Sequence, residues 1–374
     1  MRRISRGNRN GLQCALIAVI LLSLAALFLA GCGPTYWTNI TGKKLAPSVA
    51  SSIRSVVSDP TRDILYAATS GQGVWRCTAP GTNPTWTHMV GGAPLDYVTS
   101  VLYEPSHNVL YVAANSGVYS WADPASSASW KTTNGVGDNG PLAYDPAHDV
   151  LYAGTNAGVY RCTDPASSPA WADTGGGVDG SGIGSLLFDQ PHQVLFAGTD
   201  TQGLGVWKYQ GGTWTNTDKN FSASQSIGSA GPLAYDPTRD ILYMSNEKEV
   251  LRCTRAENAP SWERMGGAVN SYTIGSVAYD QASNILYAGA YIPSAETEPF
   301  PINAERSSPA PRVNTHSTGV WACSNPDTSP IMTNTGGAVG SQNVDNLHFD
   351  SARRVLYAVS IQKAVWRYKP PANR

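Results

Sequence analysis

The chain carries none of the local signatures that announce a reaction. No P-loop, dinucleotide fingerprint or G-x-S-x-G elbow stands in a strand–turn–helix context. Its Gly-rich stretches, such as GGGVDGSGIG (175–184), join strand-like runs instead. No C-x-x-C and no Cys/His zinc spacing exists, so neither a metal nor any other cofactor is expected. A basic excess is also missing: 26 Lys and Arg stand against 27 Asp and Glu. Phosphate binding needs a basic surface, which argues against a nucleic-acid partner.

Only one apolar run is long, ALIAVILLSLAALFLA at 15–30. Arg2, Arg3, Arg6 and Arg9 precede it, and LAGC (Leu29–Cys32) ends it. A basic start, an apolar stretch and small residues at its end read as an export signal over 1–31. The LAGC ending resembles the bacterial lipobox, which implies cleavage and a lipid on Cys32. The alternative is an uncleaved anchor, since the run is long enough to span a bilayer. Either reading places the remainder on the extracytoplasmic face of a bacterial cell membrane, with 32–35 as a short tether and 36–374 as the domain. The leader takes four Arg and no acid with it, so that domain is mildly acidic.

The rest of the chain repeats itself. LYAAT begins at Leu65, LYVAA at Leu110, LYAGT at Leu151, LFAGT at Leu195, LYMSN at Leu242, LYAGA at Leu286 and LYAVS at Leu356. The spacings are 45, 41, 44, 47, 44 and 70 residues. A period in the forties built of short β-rich runs predicts propeller blades. Each period divides into four strands. Strand A is the SVVSDP-like run, B the LYAGT phrase, C the GVW or GVY run, and D a run carrying Trp. The runs are almost continuously apolar, as sheets buried on both faces require.

The last unit stops at KPPANR without a D strand, while PTYWTNITG at 34–42 parallels PTWTHMVGG at 84–92. Trp37 is therefore expected to complete the last blade, leaving no open sheet edge. The fold class is all-β: a seven-bladed propeller of four-stranded antiparallel blades, closed by its N-terminal strand and expected to be monomeric. The units resemble those of BNR or Asp-box-type propellers, the broad group that includes sialidases, xyloglucan hydrolases and photosystem assembly factors. Their diagnostic S-x-D-x-G-x-x-W box is degenerate here, as in DPASSASW ending at Trp130. A sialidase, the resemblance implies, needs three converging Arg and a Tyr/Glu pair. Only Arg54 lies near the inner end of an A strand.

Seven acids stand in register before strand B: Asp59, Glu104, Asp145, Asp189, Asp236, Asp280 and Asp350. They read as turn caps, because Asp accepts from the backbone two residues on. His107, His148 and His192 share a turn position with Arg62, Arg239 and Arg353, which marks a solvated site and not a metal centre. Cys77, Cys162, Cys253 and Cys323 share one strand C position on separate blades, so buried free thiols are expected. All 11 Trp fall at repeat positions, leaving none as a sugar-stacking platform.

The residues outside the repeat gather on one side. Tyr97, Phe221 and Tyr272 lie in D–A loops; Tyr291 and Phe300 lie in the B–C loop of blade six. Those loops share one rim by topology. The same rim holds a Pro- and Ser-rich insertion at 292–318. Arg54 and Asp345 occupy equivalent inner positions on neighbouring blades and are expected to meet at the channel mouth. Thr99, Gly140, Gly184, Gly231 and Gly275 hold the other mouth positions, so the expected lining is mostly small. These features favour a membrane-anchored module that binds a protein or glycan on this rim. The alternatives are an extracellular glycoside hydrolase or lyase, or an envelope assembly or sensor scaffold.

Overall fold

The computed structural model describes residues 37–370 apart from 43–44, 127–128, 136, 138, 200–204, 218–230, 247–248, 268–271, 293–317, 330, 337–338, 341 and 361–363. The leader, Cys32, Phe221, Phe300 and nearly all of the insertion lie outside those residues. Seven antiparallel sheets form a ring with almost no helix. Blade one runs over 53–88, two over 98–132, three over 139–173, four over 183–216, five over 233–264 and six over 273–334. Blade seven takes three strands from 344–368 and its fourth from Trp37–Asn39. Trp37 pairs with Tyr368, Thr38 with Arg367 and Asn39 with Trp366. The Ile40 N–H then donates to the Val365 carbonyl at 2.8 Å. The closure expected from the spare N-terminal strand is therefore present. Each innermost strand packs beside that of the next blade all the way round. Among the described residues no helix is long and apolar enough to cross a membrane.

The core is a set of seven layers, one between each pair of blades. This explains the repeated phrase. In blade one, Leu65 and Ala67 face blade seven while Tyr66 and Ala68 face blade two, and all four are fully buried. A strand sandwiched this way has no polar face. Each buried Leu or Tyr contributes roughly 2–3 kcal/mol by area. The Gly of LYAGT is a clearance position: a Cβ on Gly154 would lie 2.7 Å from Ile183 Cγ2 of the next blade.

The D-strand Trp joins adjacent blades. The indole N–H donates to the residue three places after the preceding blade's Trp: Trp86 to the Ile40 carbonyl (2.9 Å), Trp130 to that of Met89 (3.2 Å) and Trp171 to that of Thr133 (3.0 Å). Trp214 and Trp262 reach the Thr174 and Thr217 hydroxyls instead. Blade six has Met332 here, which has no N–H. There the backbone of Gly266–Gly267 runs parallel beside Ile331 and Met332 and makes the link. The four cysteines are buried and free, and burial pushes the thiols of Cys77, Cys162 and Cys253 up to about 12.

Candidate functional site

The rim formed by A–B and C–D turns, the lower rim, is a belt of hydrogen-bonded turns, with polar contacts among the described residues crossing six of the seven blade boundaries. Its seven acids are buried and cap their turns. Asp59 Oδ1 accepts the Thr61 and Arg62 N–H groups at 2.8 and 3.0 Å; Glu104 does the same for Ser106 and His107 at 2.7 and 2.6 Å. Burial pushes both carboxyls up, but side-chain hydrogen bonds from Thr61 and Arg62 to Asp59 and from Ser106 to Glu104, together with these backbone bonds, outweigh it and hold them below their ordinary values. In six blades the Arg or His three places on is the acid's ion-pair partner, as for Arg239–Asp236 at 2.8 Å and His148–Asp145 at 2.6 Å; blade six has Ser283 there, and Arg354 of blade seven approaches Asp280 at 3.5 Å. Further bonds cross between blades: Arg62 to the Tyr103 hydroxyl at 3.0 Å, and the Tyr279 hydroxyl to Asp236 at 2.8 Å. Strand C adds Arg76, which donates to the Pro124 carbonyl at 3.0 Å in the C–D turn of blade two. These acids build the fold and line up no reacting pair.

The upper rim differs. Six of the A strands open with a shift in register, which leaves Arg54, Thr99, Gly140, Gly184, Gly275 and Asp345 as bulged residues at the channel mouth. The glycines are needed for clearance: a Cβ on Gly275 would lie 2.9 Å from the Asp345 backbone. Among the described residues at these bulged positions, side chains longer than Gly occur on blades seven, one and two, which are neighbours. The mouth is small-lined on one side and polar on the other.

Next to that polar arc lies a cavity of about 300 Å³ between blades one and two, lined by Gly71–Gly73 and by the loop from His88 to Asp96. Met89, Leu95 and Trp130 form its apolar lining. Val90 and Tyr97 belong to the same loop and are 73% and 55% exposed. Tyr97 is tied to the mouth by its backbone bridge to Ser70, whose N–H donates to the Ser52 carbonyl at 2.8 Å, two residues from Arg54. On the far side of the arc, Tyr291 packs against Gly275 beside Asp345, and Ile292 is 45% exposed. The ends of the insertion are held to the loop before blade seven. The Ile292 N–H donates to Asn343 Oδ1 at 3.2 Å, and the Thr318 hydroxyl to the Gln342 carbonyl at 2.8 Å.

Tyr97, Tyr291, Arg54 and Asp345 thus fall on one side of the upper rim, over blades six, seven, one and two. Tyr272 does not join them as an open surface; it is half-buried with its ring 5.8 Å from that of Trp321. Among the described residues Arg54 and Asp345 make no direct ion pair, although the Arg54 cation acts on the carboxylate. Burial pushes the Asp345 carboxyl up to about 6, against that cation and local backbone N–H groups. Asp345 Oδ1 and Asn346 Oδ1 are both buried without a partner among the described residues. Lower in the same seam, His348 Nε2 accepts the Ser58 N–H at 3.0 Å, and burial pushes its imidazole down to about 4. Val90, Asn346 and the His348–Ser58 pair carry no signal in the sequence. Ser58 and His348 meet only because the ring closes.

No family model and no curated protein matches the chain. Solved structures match it in fold. One is the extracellular domain of a protein from B. thetaiotaomicron described as a hybrid two component system, at TM-score 0.63 and 16% identity over 90% of this chain. This chain spans 40% of that one. U3-55K matches at TM-score 0.62 and 12% identity, covering 89% of this chain and 98% of its own. The RRP9 WD40 repeats match at TM-score 0.63 and 11% identity, covering 89% and 97%. At these identities the likeness establishes the seven-bladed fold.

Proposed function

We propose that the chain is a non-catalytic binding module, tethered through Cys32 at an extracytoplasmic membrane surface, which takes a protein or glycan partner on its upper rim. The observation that carries this reading is the contrast between rims. Val90, Tyr97 and Ile292 are large, apolar and exposed along one arc, with a cavity and a polar mouth beside them. Exposed apolar side chains grouped next to convergent polar groups mark recognition surfaces. The same-fold neighbour that is a bacterial extracellular domain supports placing such a module outside the cytoplasm.

A hydrolase has one observation in its favour, the raised Asp345 carboxyl, which lies in a range suited to a general acid. Glycoside hydrolysis needs a second carboxyl within about 5–10 Å. The mouth positions beside Asp345 on blades one and two carry Arg54 and Thr99 instead, so binding is the better reading. The test is a glycan array and an envelope-extract capture with the wild-type chain and a Val90→Ser/Tyr97→Ser variant. Specific retention should be lost in the variant at unchanged melting temperature. Retention that survives in the variant would overturn the assignment of this arc.

A further inference from the structure

The lower rim contains one cluster that the repeat does not explain. In blades one and five an Arg joins its own turn acid to an acid in the next blade's C–D turn. Arg62 uses Nε for Asp59 (2.6 Å) and Nη1 for Asp123 (3.4 Å); Arg239 uses Nη1 for Asp236 (2.8 Å) and Nε for Asp327 (3.3 Å). Each carboxylate has its own nitrogen. Blade four has the same arrangement with His192 between Asp189 and Glu257 of blade five. Here both carboxylates converge on one atom: His192 Nδ1 lies 2.6 Å from Asp189 Oδ2 and 2.7 Å from Glu257 Oε1. One N–H points in one direction and cannot serve two oxygens well. His107 and His148, with the equivalent turn position, each face a single acid.

We propose that Asp189, His192 and Glu257 hold a divalent transition-metal ion, zinc in the first instance, bridging blades four and five. The three donor atoms lie within 4.8 Å of one another. One imidazole and two carboxylates are a suitable zinc donor set, with metal–ligand bonds of about 2.0–2.2 Å. Donors in a tetrahedral array with such bonds sit about 3.3 Å apart, so His192 and Glu257 have to swing outward by less than 1 Å. Asp189 is buried, whereas His192 is exposed and Glu257 partly so. The Tyr235 hydroxyl donates to Glu257 Oε1 at 2.8 Å, and Asp240 accepts the Glu257 N–H at 3.1 Å. His192 is exposed, so water would complete the ion's coordination. A spherical charge at this point does for blade four what the guanidinium does for blades one and five.

The test uses the full chain, stripped with chelator and titrated with zinc by calorimetry, with thermal unfolding in parallel. The wild type should bind one zinc per chain at micromolar affinity and melt several degrees higher when loaded, as ligand linkage requires. His192→Arg installs the clamp of blades one and five; it should fold, melt in chelator no lower than the wild type, and lose the zinc response. Glu257→Gln should weaken zinc at least tenfold. Absence of saturable binding in the wild type would overturn the proposal. So would undiminished binding by both variants, which would place zinc elsewhere.

Discussion

The two rims of the propeller are built to different rules. The A–B turns of the lower rim repeat one device, a buried acid capping its turn and an Arg or His closing on it, supplied for Asp280 by Arg354 of the next blade. All but two ion pairs among the described residues, Arg252–Glu263 and Arg264–Glu249, involve these turns. The upper rim has the register shifts, the cavity beside His88–Asp96 and three of the four large exposed apolar residues, the fourth being Ile331 on an outer strand; the lower rim has a cavity too, of about 550 Å³, against the turns of blades two to four, but no large exposed apolar residue beside it. A repeat that must close on itself has to hold its blades at fixed angles, and one rim does this. The other is then free to vary without loosening the ring.

The largest effect should come from breaking the lower belt. Asp236→Ala deprives Thr238, Arg239 and Tyr279 of their acceptor, which should cost about 1–3 kcal/mol in denaturant unfolding for each buried donor left unpaired. Next comes the clearance between blades. Gly154→Ala should cost about 1–3 kcal/mol by overpacking against Ile183, and Ile183→Ala in the same chain should recover part of it.

The seam at the mouth gives a smaller, pH-dependent effect, on the order of 1–2 kcal/mol for each group. The folded His348 imidazole lies at about 4, below its ordinary 6.5, so its contribution is present above pH 6.5 and lost as pH falls towards 4. The folded Asp345 carboxyl lies at about 6, above its ordinary 3.8, so its contribution is present below pH 3.8 and lost as pH rises through 6. The two slopes oppose each other. His348→Asn should leave a chain whose stability falls on going from pH 4 to 6. Asp345→Asn should leave one whose stability rises over that window and should be stabilising at neutral pH. Parallel slopes in the two variants would refute the assignment. Smallest of all, Tyr97→Ser should change stability by no more than about 0.5 kcal/mol while removing partner retention.

What could be read from the sequence follows the same division. The blade count, the closure by Trp37, the turn caps and the free thiols were legible because each is stated several times in register. Arg54 and Asp345 stood out because most other blades put Gly or Thr at their position. That they make no direct pair was not legible, since it depends on how deeply the bulge sets Asp345. Glu257 was hidden for another reason: it meets His192 across a blade boundary, and no spacing within one repeat signals it.

The division between rims is tested most directly by amide hydrogen exchange, on the chain alone and saturated with the partner that the capture screen returns. In the free chain the amides of Thr61, Arg62, Ser106, His107, Thr238 and Arg239 should exchange only through global opening, and those at 89–97 much faster. Partner binding should slow exchange at 70–73 and 89–99 and leave the A–B turns unchanged. Protection appearing at the A–B turns, with 89–97 unaffected, would contradict the account.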